Sequence, residues 1–338
     1  MFSKFQGKFI VGLALAVIVY LALIIYSGWE EVLQAFAQFP WIYAPLILML
    51  TLFNYFLRFM KWDYYLKVLG VECSKTDSLV VFFSGLTMTI SPGKIGELLK
   101  SYFLKKCACV DISRSMPVVI AERLTDFIAL LIISLSGIGF LATGNYKIIV
   151  LAAALLLTFI FVISNRKISL FFIGFLEKMP VVNRFAQKFH AMYDSMASLL
   201  RLIPLLIATL WSLAAWMCEC TGMYIVARLL GGGADILAAS FIYAFGTIVG
   251  SVSPGGLGVT DGSLLAMLQN SAMMGGAPLS KAGAGAATLI IRMATLWFAV
   301  FVGAVVLLSN QKRFSGVEEF IEDPEKSGEA SCDGKLGK

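Results

Sequence analysis

Apolar residues occur along this chain in long runs that short polar segments separate. Six runs, at residues 8–27, 41–62, 115–141, 147–164, 202–228 and 284–309, have the length of a membrane-spanning helix. A hydrocarbon core of about 30 Å requires about 20 apolar residues in helical form. The first run lacks a small-residue cleavage site, so we interpret it as a retained span. The pattern predicts an all-α polytopic membrane protein with about six spanning helices.

Two further apolar regions contain proline and glycine near their middle. Residues 78–106 are interrupted by the Ser-Pro-Gly at 91–93, and residues 236–275 by the Ser-Pro-Gly-Gly at 253–256. Each arm has about 14–17 residues, or roughly 21–25 Å of helix, which is short for a crossing. Broken backbone at membrane depth is tolerated only inside protein or beside water. We therefore predict two re-entrant hairpins, each of which enters the membrane, breaks and returns.

The two halves of the chain present the same order of elements: a span, an intervening segment, a second span, a broken hairpin and a third span. Because three crossings per half is an odd number, the second half starts from the opposite side, which predicts an inverted repeat. Residues 1–141 form the first repeat, 142–311 the second, and 312–338 a disordered cytoplasmic tail. Within the second repeat, residues 168–200 mix aromatic and basic side chains. This mixture predicts interfacial helices on the cytoplasmic leaflet, with an ordinary helical pair packed on the bundle as the alternative.

Composition agrees with the membrane assignment, and the basic residues give its orientation. The 338-residue chain is 59% hydrophobic and 14% charged, with a mean hydropathy of +0.85, which excludes a soluble globular domain. The loop at residues 28–40 contains Glu30 and Glu31 but no basic residue. Basic residues instead cluster in segments that the inverted arrangement assigns to the cytoplasm: Lys4, Lys8, Lys61, Lys67, Lys75, Lys100, Lys105, Lys106, Arg114, Arg166, Lys167, Lys178, Arg184, Lys188, Arg201, Lys312 and Arg313. The positive-inside rule then predicts an inner-membrane protein with both termini in the cytoplasm.

Residue types that support catalysis or metal binding are sparse. The chain has one histidine, His190, and its six cysteines include two C-x-C pairs, which are too few for a zinc framework. The P-loop string is absent. No βαβ unit surrounds the glycines of the second break, so a nucleotide fingerprint is not indicated. We expect no enzymatic activity, metal ion, cofactor or nucleic-acid partner.

The first break has the features of an anion site. A helix that restarts near Lys94 exposes backbone N–H groups with a partial positive charge, and Lys94 adds a full charge beside them. Such a helix start can cradle a phosphate or carboxylate. The alternative is that the Pro-Gly pair is only a turn and that Lys94 extends to the cytoplasm. We predict headgroup binding by Ser91, Pro92, Gly93, Lys94, Gly96, Glu97, Lys100 and Arg123.

The second break lacks a basic residue, but its glycines permit close backbone approach. We assign to the same headgroup site Ser253, Pro254, Gly255, Gly256 and Gly258. Ionisable residues also lie inside or at the ends of the apolar segments, where a charge needs a partner or a watery cavity. We predict gating or charge-pairing roles for Arg58, Glu122, Asp126, Glu219, Asp261 and Arg292. The alternatives are snorkelling for Arg58 and Glu122 and a buried structural ion pair for Glu219 and Arg292.

Three segments together resemble a known family. They are SPGKIGELLKSYFLKK at residues 91–106, ERLTDF at 122–127 and SPGGLGVTDG at 253–262. From the first span to about Leu308, the chain resembles the flippase-like family, also described as the lysylphosphatidylglycerol synthase transmembrane-domain group. The family pattern falls on Pro92, Gly93, Gly96, Glu97, Glu122, Arg123, Asp126, Pro254, Gly255, Gly256, Gly258 and Arg292. Lys100 stands where the family commonly has arginine, and Asp261 where it commonly has glutamate, which shortens one carboxylate arm.

The resemblance implies a lipid-translocating membrane domain. It implies that the chain moves or binds an anionic phospholipid, or a polyprenyl-phosphate-linked headgroup, across the inner membrane. No soluble aminoacyl-transfer domain follows Leu308 in this sequence, so the synthase activity of larger members is not expected. The alternatives are a membrane enzyme that modifies polyprenyl-linked sugars and an accessory partner of a lipid-modifying enzyme.

Overall fold

The computed structural model describes residues 3–90, 100–105, 110–136, 186–251 and 253–310, together with positions 154 and 158. Within these residues, all regular secondary structure is helical. The helices are α1 (Ser3–Ser27), α2 (Trp29–Gln38), α3 (Ala44–Val68), α4 (Lys75–Gly85), α5 (Ile112–Ser136), α6 (Ala186–Leu199), α7 (Leu202–Leu229), α8 (Ile236–Gly250), α9 (Val259–Leu268), α10 (Ser271–Met274), α11 (Lys281–Arg292) and α12 (Phe298–Ser309). Short 3₁₀ turns lie at Trp41–Tyr43, Leu86–Ile90 and Pro254–Gly256, and a π-helical segment joins α11 to α12 at Met293–Trp297.

Three helical stretches are long and apolar enough to cross a membrane: Trp41–Val68, Leu202–Leu229 and Lys281–Ser309. A fourth candidate is the bent pair of α1 and α2, whose axes differ by 94°. The chain is therefore an all-helical membrane protein with three to four apolar candidate spans among the described residues. α5 also has 25 residues, but it carries several charged side chains in its middle. The predicted span at 147–164 lies outside the described residues.

The bend between α1 and α2 occupies a segment that the sequence led us to interpret as a loop. Gly28 at the bend has a φ of 87°, in the left-handed region that glycine adopts without a Cβ penalty. Glu30 and Glu31 lie in the first turn of α2, where negative charge is favourable at the positive end of a helix. The loop prediction was wrong for residues 29–38, because the acidic residues that marked the segment as external also favour a helix start.

The Pro-Gly-Gly segment of the second half interrupts the helix, as the sequence predicted. A single turn at Pro254–Gly256 separates α8 from α9. Gly255, Gly256 and Gly258 have φ values of 61°, 73° and 80°, which residues with a Cβ adopt only at a cost. The first break, at residues 91–99, lies outside the described part of the chain, as does the tail from residue 311.

Packing between the two halves brings the interrupted regions together. α3 packs along α7, and the turn Leu86–Ile90 contacts both α12 and the turn Pro254–Gly256. Gly303 on α12 lies directly against the backbone of Thr87, where a Cβ would collide with the Thr87 amide nitrogen. Most of the buried apolar side chains form two clusters, one centred on α7, α8 and α11 and the other on α3, α4 and α5. The polar groups described below lie between these clusters.

The described part of the predicted cytoplasmic segment 168–200 is α6. This helix packs on α5 and buries Met196 and Leu199. The rest of the segment, residues 168–185, lies outside the described part of the chain.

Candidate functional site

A cavity of about 420 Å³ lies between the two halves of the chain. Its walls are formed by α3, α5, α7 and α8 and by the helical stretch from α11 to α12. The two interrupted regions also reach it, through Thr89 on one side and Ser253, Gly255 and Gly256 on the other. The second break therefore lines the cavity, together with the turn that precedes the first break.

Charged groups lie on the wall of this cavity among aromatic side chains. The basic residues in the described part of its lining are Arg58, Lys100, Arg123 and Arg292, and the acidic residues are Asp126 and Glu219. The aromatic residues are Tyr55, Phe127, Trp216 and Tyr243. The described lining thus has more cationic than anionic side chains, in an otherwise largely apolar wall.

One fully buried charged group near the cavity belongs to Lys61, on α3. Its side chain is fully buried, and its Nζ donates to Asp126 Oδ1 at 2.6 Å and to Ser212 Oγ at 2.8 Å. Ser212 Oγ in turn donates to the same Asp126 oxygen at 2.9 Å. A further donation from Nζ reaches the Glu122 carbonyl oxygen at 3.2 Å. These contacts join α3, α5 and α7 through one buried ammonium group.

Two arginines approach the other carboxylate oxygen of Asp126. Arg58 Nη2 lies 3.6 Å from Asp126 Oδ2, and Arg123 Nη1 lies 3.4 Å from it. Neither distance is that of a short hydrogen bond, since charge-assisted N–H···O contacts are about 2.7–2.9 Å long. The Nε of Arg58 is buried and has no hydrogen-bond acceptor among the described residues. Asp126 therefore lies close to two guanidinium groups at the cavity wall, Arg58 from α3 and Arg123 from α5, at distances longer than a short hydrogen bond.

Lys100 forms a second buried ion pair at this end of the cavity. Its Nζ lies 3.3 Å from Glu122 Oε2, and both side chains are almost entirely buried. The same Nζ lies 4.4 Å from the centre of the Phe82 ring and 5.2 Å from that of Trp62. Cation–π contact with these rings partly replaces the water that the ammonium group has lost.

Arg292 organises the second break. Its Nε lies 2.8 Å from Asp261 Oδ1, and its Nη2 donates to the Gly255 carbonyl oxygen at 2.6 Å. Asp261 is fully buried, and its Oδ2 accepts from the Gly258 N–H at 2.8 Å, which satisfies a backbone donor at the start of α9. One arginine on α11 thus fixes the Gly-rich turn and the carboxylate that caps α9.

Glu219 lies inside α7 and lines the same cavity. Tyr243 on α8 donates from its hydroxyl to Glu219 Oε2 at 2.7 Å. The Tyr243 hydroxyl also lies 3.5 Å from Thr295 Oγ1 in the π-helical segment. Tyr55 on α3 donates to the Thr295 carbonyl oxygen at 2.7 Å. π-helical turns are frequent at functional sites, and this one brings Thr295 to the polar side of the cavity.

The structure brings together many of the residues that the sequence singled out. Arg58, Lys100, Glu122, Arg123 and Asp126 form one group, and Gly255, Gly258, Asp261 and Arg292 form another. Neither snorkelling alternative describes the contacts, because Glu122 is fully buried and Arg58 faces the cavity. Arg292 is in a buried ion pair, with Asp261 as its partner. The predicted headgroup residues Ser91, Pro92, Gly93, Lys94, Gly96 and Glu97 lie outside the described residues.

Lys61 is a site residue that the sequence analysis did not identify. We assigned it to the cytoplasmic surface because it stands at the end of the predicted span 41–62, beside Lys67. The structure instead places Lys61 inside, paired with Asp126, whereas the Lys67 side chain is 65% exposed and pairs with Asp63 on its own helix. Helical position is the signal that distinguishes them. Lys61 shares a face with the buried Asn54 and Leu57, at spacings of seven and four residues.

A match to a known protein family covers both motifs of this chain. The family model described as the lysylphosphatidylglycerol synthase TM region matches residues 9–303. The chain belongs to this family. The matched residues include both interrupted regions and the described cavity-lining residues.

Relatives of similar length are found in archaea. A UPF0104 membrane protein of Pyrococcus horikoshii is 21% identical over 327 residues, covering 88% of this chain and 96% of the relative. Another, from Methanothermobacter thermautotrophicus, is 23% identical over 320 residues, covering 86% and 90%. A third, from Methanocaldococcus jannaschii, is 20% identical over 310 residues, covering 85% and 90%. The alignments with these three relatives therefore cover 85–88% of this chain.

The cavity has the chemistry of an anion site in a low-dielectric setting. Guanidinium groups donate in a planar fork that matches phosphate and carboxylate oxygens. Among the described residues, no group of three or more His, Cys, Asp or Glu side chains is placed to hold a metal ion. A ligand in this cavity would contact basic side chains near Asp126, aromatic side chains around Trp216 and the carboxyl group of Glu219.

Proposed function

We propose that this protein is a flippase-like lipid transporter that binds an anionic lipid headgroup in the cavity between its two halves. The observation that carries the proposal is the cationic wall of one cavity, which is lined by Arg58, Arg123 and Arg292. Ionisable residues inside membrane proteins mark substrate or ion pathways, because they are too costly to keep there without a use. Membership of the lysylphosphatidylglycerol synthase TM family supports a role that concerns lipid.

The headgroup needs donors that replace the water it loses on entering the membrane. The Arg58 Nε supplies one, since it is buried and has no acceptor in the part of the chain that the structure describes. Buried polar groups are hydrogen-bonded in almost all cases, so a donor of this kind calls for a ligand or a water. Phosphate oxygens of a phospholipid or of a polyprenyl phosphate accept such hydrogen bonds equally well. Acyl or prenyl chains would extend from the cavity to the surrounding lipid.

The proposal also includes the inverted arrangement of the two halves and an inner-membrane location with cytoplasmic termini. The contact between the turns Leu86–Ile90 and Pro254–Gly256 supports it, since two hairpins that enter from opposite faces would meet in the middle. Transporters with inverted repeats bind substrate at this kind of repeat interface. The chain would act without catalysing a reaction, and the proposal includes membrane lipid as its partner, with a lipid-modifying enzyme as a second candidate partner.

Surface labelling tests this arrangement. In a variant without native cysteines, single cysteines at Lys75 and Lys188 should resist a membrane-impermeant thiol reagent added outside intact cells, and one at Lys281 should react. Labelling after cell lysis controls for the reactivity of each cysteine. Reaction of the Lys188 position from outside would contradict the inverted arrangement.

The variant Arg58→Gln tests the headgroup site directly. Charge-assisted hydrogen bonds are worth about 1.5–3 kcal/mol each, and about 1.4 kcal/mol is a factor of ten. We therefore expect Arg58→Gln to weaken binding of short-chain phosphatidylglycerol roughly ten- to a hundredfold and to slow translocation of an acyl-labelled analogue in proteoliposomes. Lys67→Gln, on the same helix but on the exposed side, is the matched control. Wild-type binding by Arg58→Gln at equal protein amounts would remove the main support for the proposal.

Lys94 provides a sequence-based test of the same site. Lys94→Ala should weaken headgroup binding by a similar factor, roughly ten- to a hundredfold, because it removes a charge from the predicted helix start. Lys94→Arg should retain part of the binding. The assay is the titration used for Arg58→Gln, and unchanged affinity of Lys94→Ala would restrict the site to the described cavity wall.

A further inference from the structure

Glu219 is a buried carboxyl group on the cavity wall whose charge the rest of the site does not balance directly. The residue is 7% exposed and lies in the middle of α7, one of the apolar candidate spans. Its hydrogen-bond donor is the Tyr243 hydroxyl, at 2.7 Å from Oε2. In the part of the chain that the structure describes, no lysine or arginine nitrogen lies within 4.0 Å of its carboxylate oxygens.

The groups that face Glu219 come from every helix packed around it. Tyr55 and Arg58 approach from α3, Tyr243 from α8, and Cys218 and Cys220 flank it on α7. The other charged groups of the lining are Lys100, Arg123, Asp126 and Arg292. Arg58 and Arg292 are already in ion pairs, with Asp126 and Asp261 respectively. These two arginines therefore pair with other carboxylates. Glu219 lies in their positive electrostatic potential but has no direct contact with either.

An anionic headgroup in the same cavity would place a second negative charge close to this carboxylate. The cavity has a volume of about 420 Å³, so its contents cannot be far from its walls. Like charges in a low-dielectric site disfavour each other's ionised form, and one of the two then takes up a proton. A phosphodiester holds its charge under physiological conditions, which leaves the carboxyl group as the member of the pair that changes.

We propose that Glu219 is a proton-binding site linked to headgroup binding, so that one lipid anion and one proton occupy the cavity together. This inference rests on the proposed function, which supplies the anion. A solvent acid, hydronium or protonated buffer, gives up the proton as its own bond to hydrogen breaks, and an O–H bond forms at Glu219 Oε1 while the Tyr243 hydroxyl continues to donate to Oε2. When the headgroup leaves, that O–H bond breaks and the proton returns to water. Because the lipid anion and the proton together carry no net charge, no additional counter-ion needs to cross the membrane.

Linkage gives the sign of the pH dependence. If headgroup binding drives protonation of Glu219, protonation must strengthen headgroup binding by the same factor. Affinity should therefore rise as the pH falls through the titration of Glu219. The amide of Glu219→Gln imitates the protonated carboxyl group and can still accept from Tyr243, so this variant should bind tightly at every pH.

Calorimetry in two buffers of different ionisation enthalpy counts the protons taken up on binding. The probe is dihexanoyl phosphatidylglycerol, titrated into the purified full-length protein. We expect wild type to take up a fraction of a proton, approaching about one within the sensitive pH range, and its affinity to change up to about tenfold per pH unit there. Glu219→Gln should take up none and show a flat pH profile. Glu31→Gln, a charge-removing change on the exposed face of α2, should behave as wild type.

The possible results are distinct. Binding by wild type without proton uptake would overturn this inference and leave the proposed function standing. Proton uptake that persists in Glu219→Gln would also overturn it, because the proton would then reside elsewhere. Absence of probe binding by wild type would overturn the proposed function, and this inference with it. Glu219→Asp, which keeps a titratable group, should retain proton uptake and so separates loss of the carboxyl group from altered folding.

Discussion

Replacing Arg292 with methionine is expected to lower the free energy of unfolding by about 3–5 kcal/mol. The change leaves Asp261 fully buried without its cation and removes the donor to the Gly255 carbonyl oxygen. An uncompensated charge in a low-dielectric interior is far more destabilising than the loss of an ion pair whose two members are both removed. Reversible denaturation in mixed micelles would measure the effect.

Arg228→Met is the matched control for this experiment. Arg228 lies in the last turn of α7 and is exposed, so its replacement should change the free energy of unfolding by about 0.5 kcal/mol or less. Adding Asp261→Asn to Arg292→Met should restore part of the loss, because the remaining buried group is then neutral. Equal stability of Arg292→Met and Arg228→Met would show that the Asp261 contact does not hold the second break.

Replacing Lys61 with methionine is expected to lower the free energy of unfolding by about 3 kcal/mol, near the lower end of the range for buried pairs. Methionine has a similar length, so little cavity is formed and the loss reflects charge. Asp126 loses its 2.6 Å partner but keeps Arg58 and Arg123 within 3.6 Å, which moderates the effect. Ser212 also loses one of its two hydrogen bonds to the cluster.

Lys67→Met separates burial from charge in the same assay. Both lysines belong to α3 and both have a carboxylate partner, but the Lys67 side chain is 65% exposed. Surface ion pairs contribute about 0–1 kcal/mol, so Lys67→Met should be close to wild type. A loss below about 1 kcal/mol for Lys61→Met would mean that Asp126 is adequately held by the two arginines.

Local pattern was sufficient to predict the helical class, the break at 253–256 and the need of Arg292 for a partner. Each of these follows from a property that the sequence states directly: apolar run length, proline with glycine, or a charge among apolar neighbours. The identity of the partner did not follow. Asp261 is 31 positions from Arg292 in the sequence, and its pairing depends on how α9 packs against α11.

Long-range pairing also explains why Lys61 was assigned to the wrong environment. At the end of an apolar run, a lysine that snorkels and a lysine that points inward have the same local sequence. Asp126, which decides between them, is 65 positions away on α5. Similarly, Asn54 donates to the Ala215 carbonyl oxygen, 161 positions away. The cap of α9 is harder to recognise for a different reason, since Gly258 occupies the position where a serine or threonine would mark a capping box.

The π-helical segment at Met293–Trp297 has an evolutionary consequence. A π-turn accommodates one inserted residue and leaves the register of the following helix unchanged, whereas an insertion in regular α-helix rotates everything after it by about 100°. Gly303 must face Thr87 for α12 to approach the turn at residues 86–90. A homologue can therefore lack one residue between 293 and 297 and preserve this crossing. A single-residue gap between 298 and 303 would instead present Ala304 to Thr87 and force the helices apart.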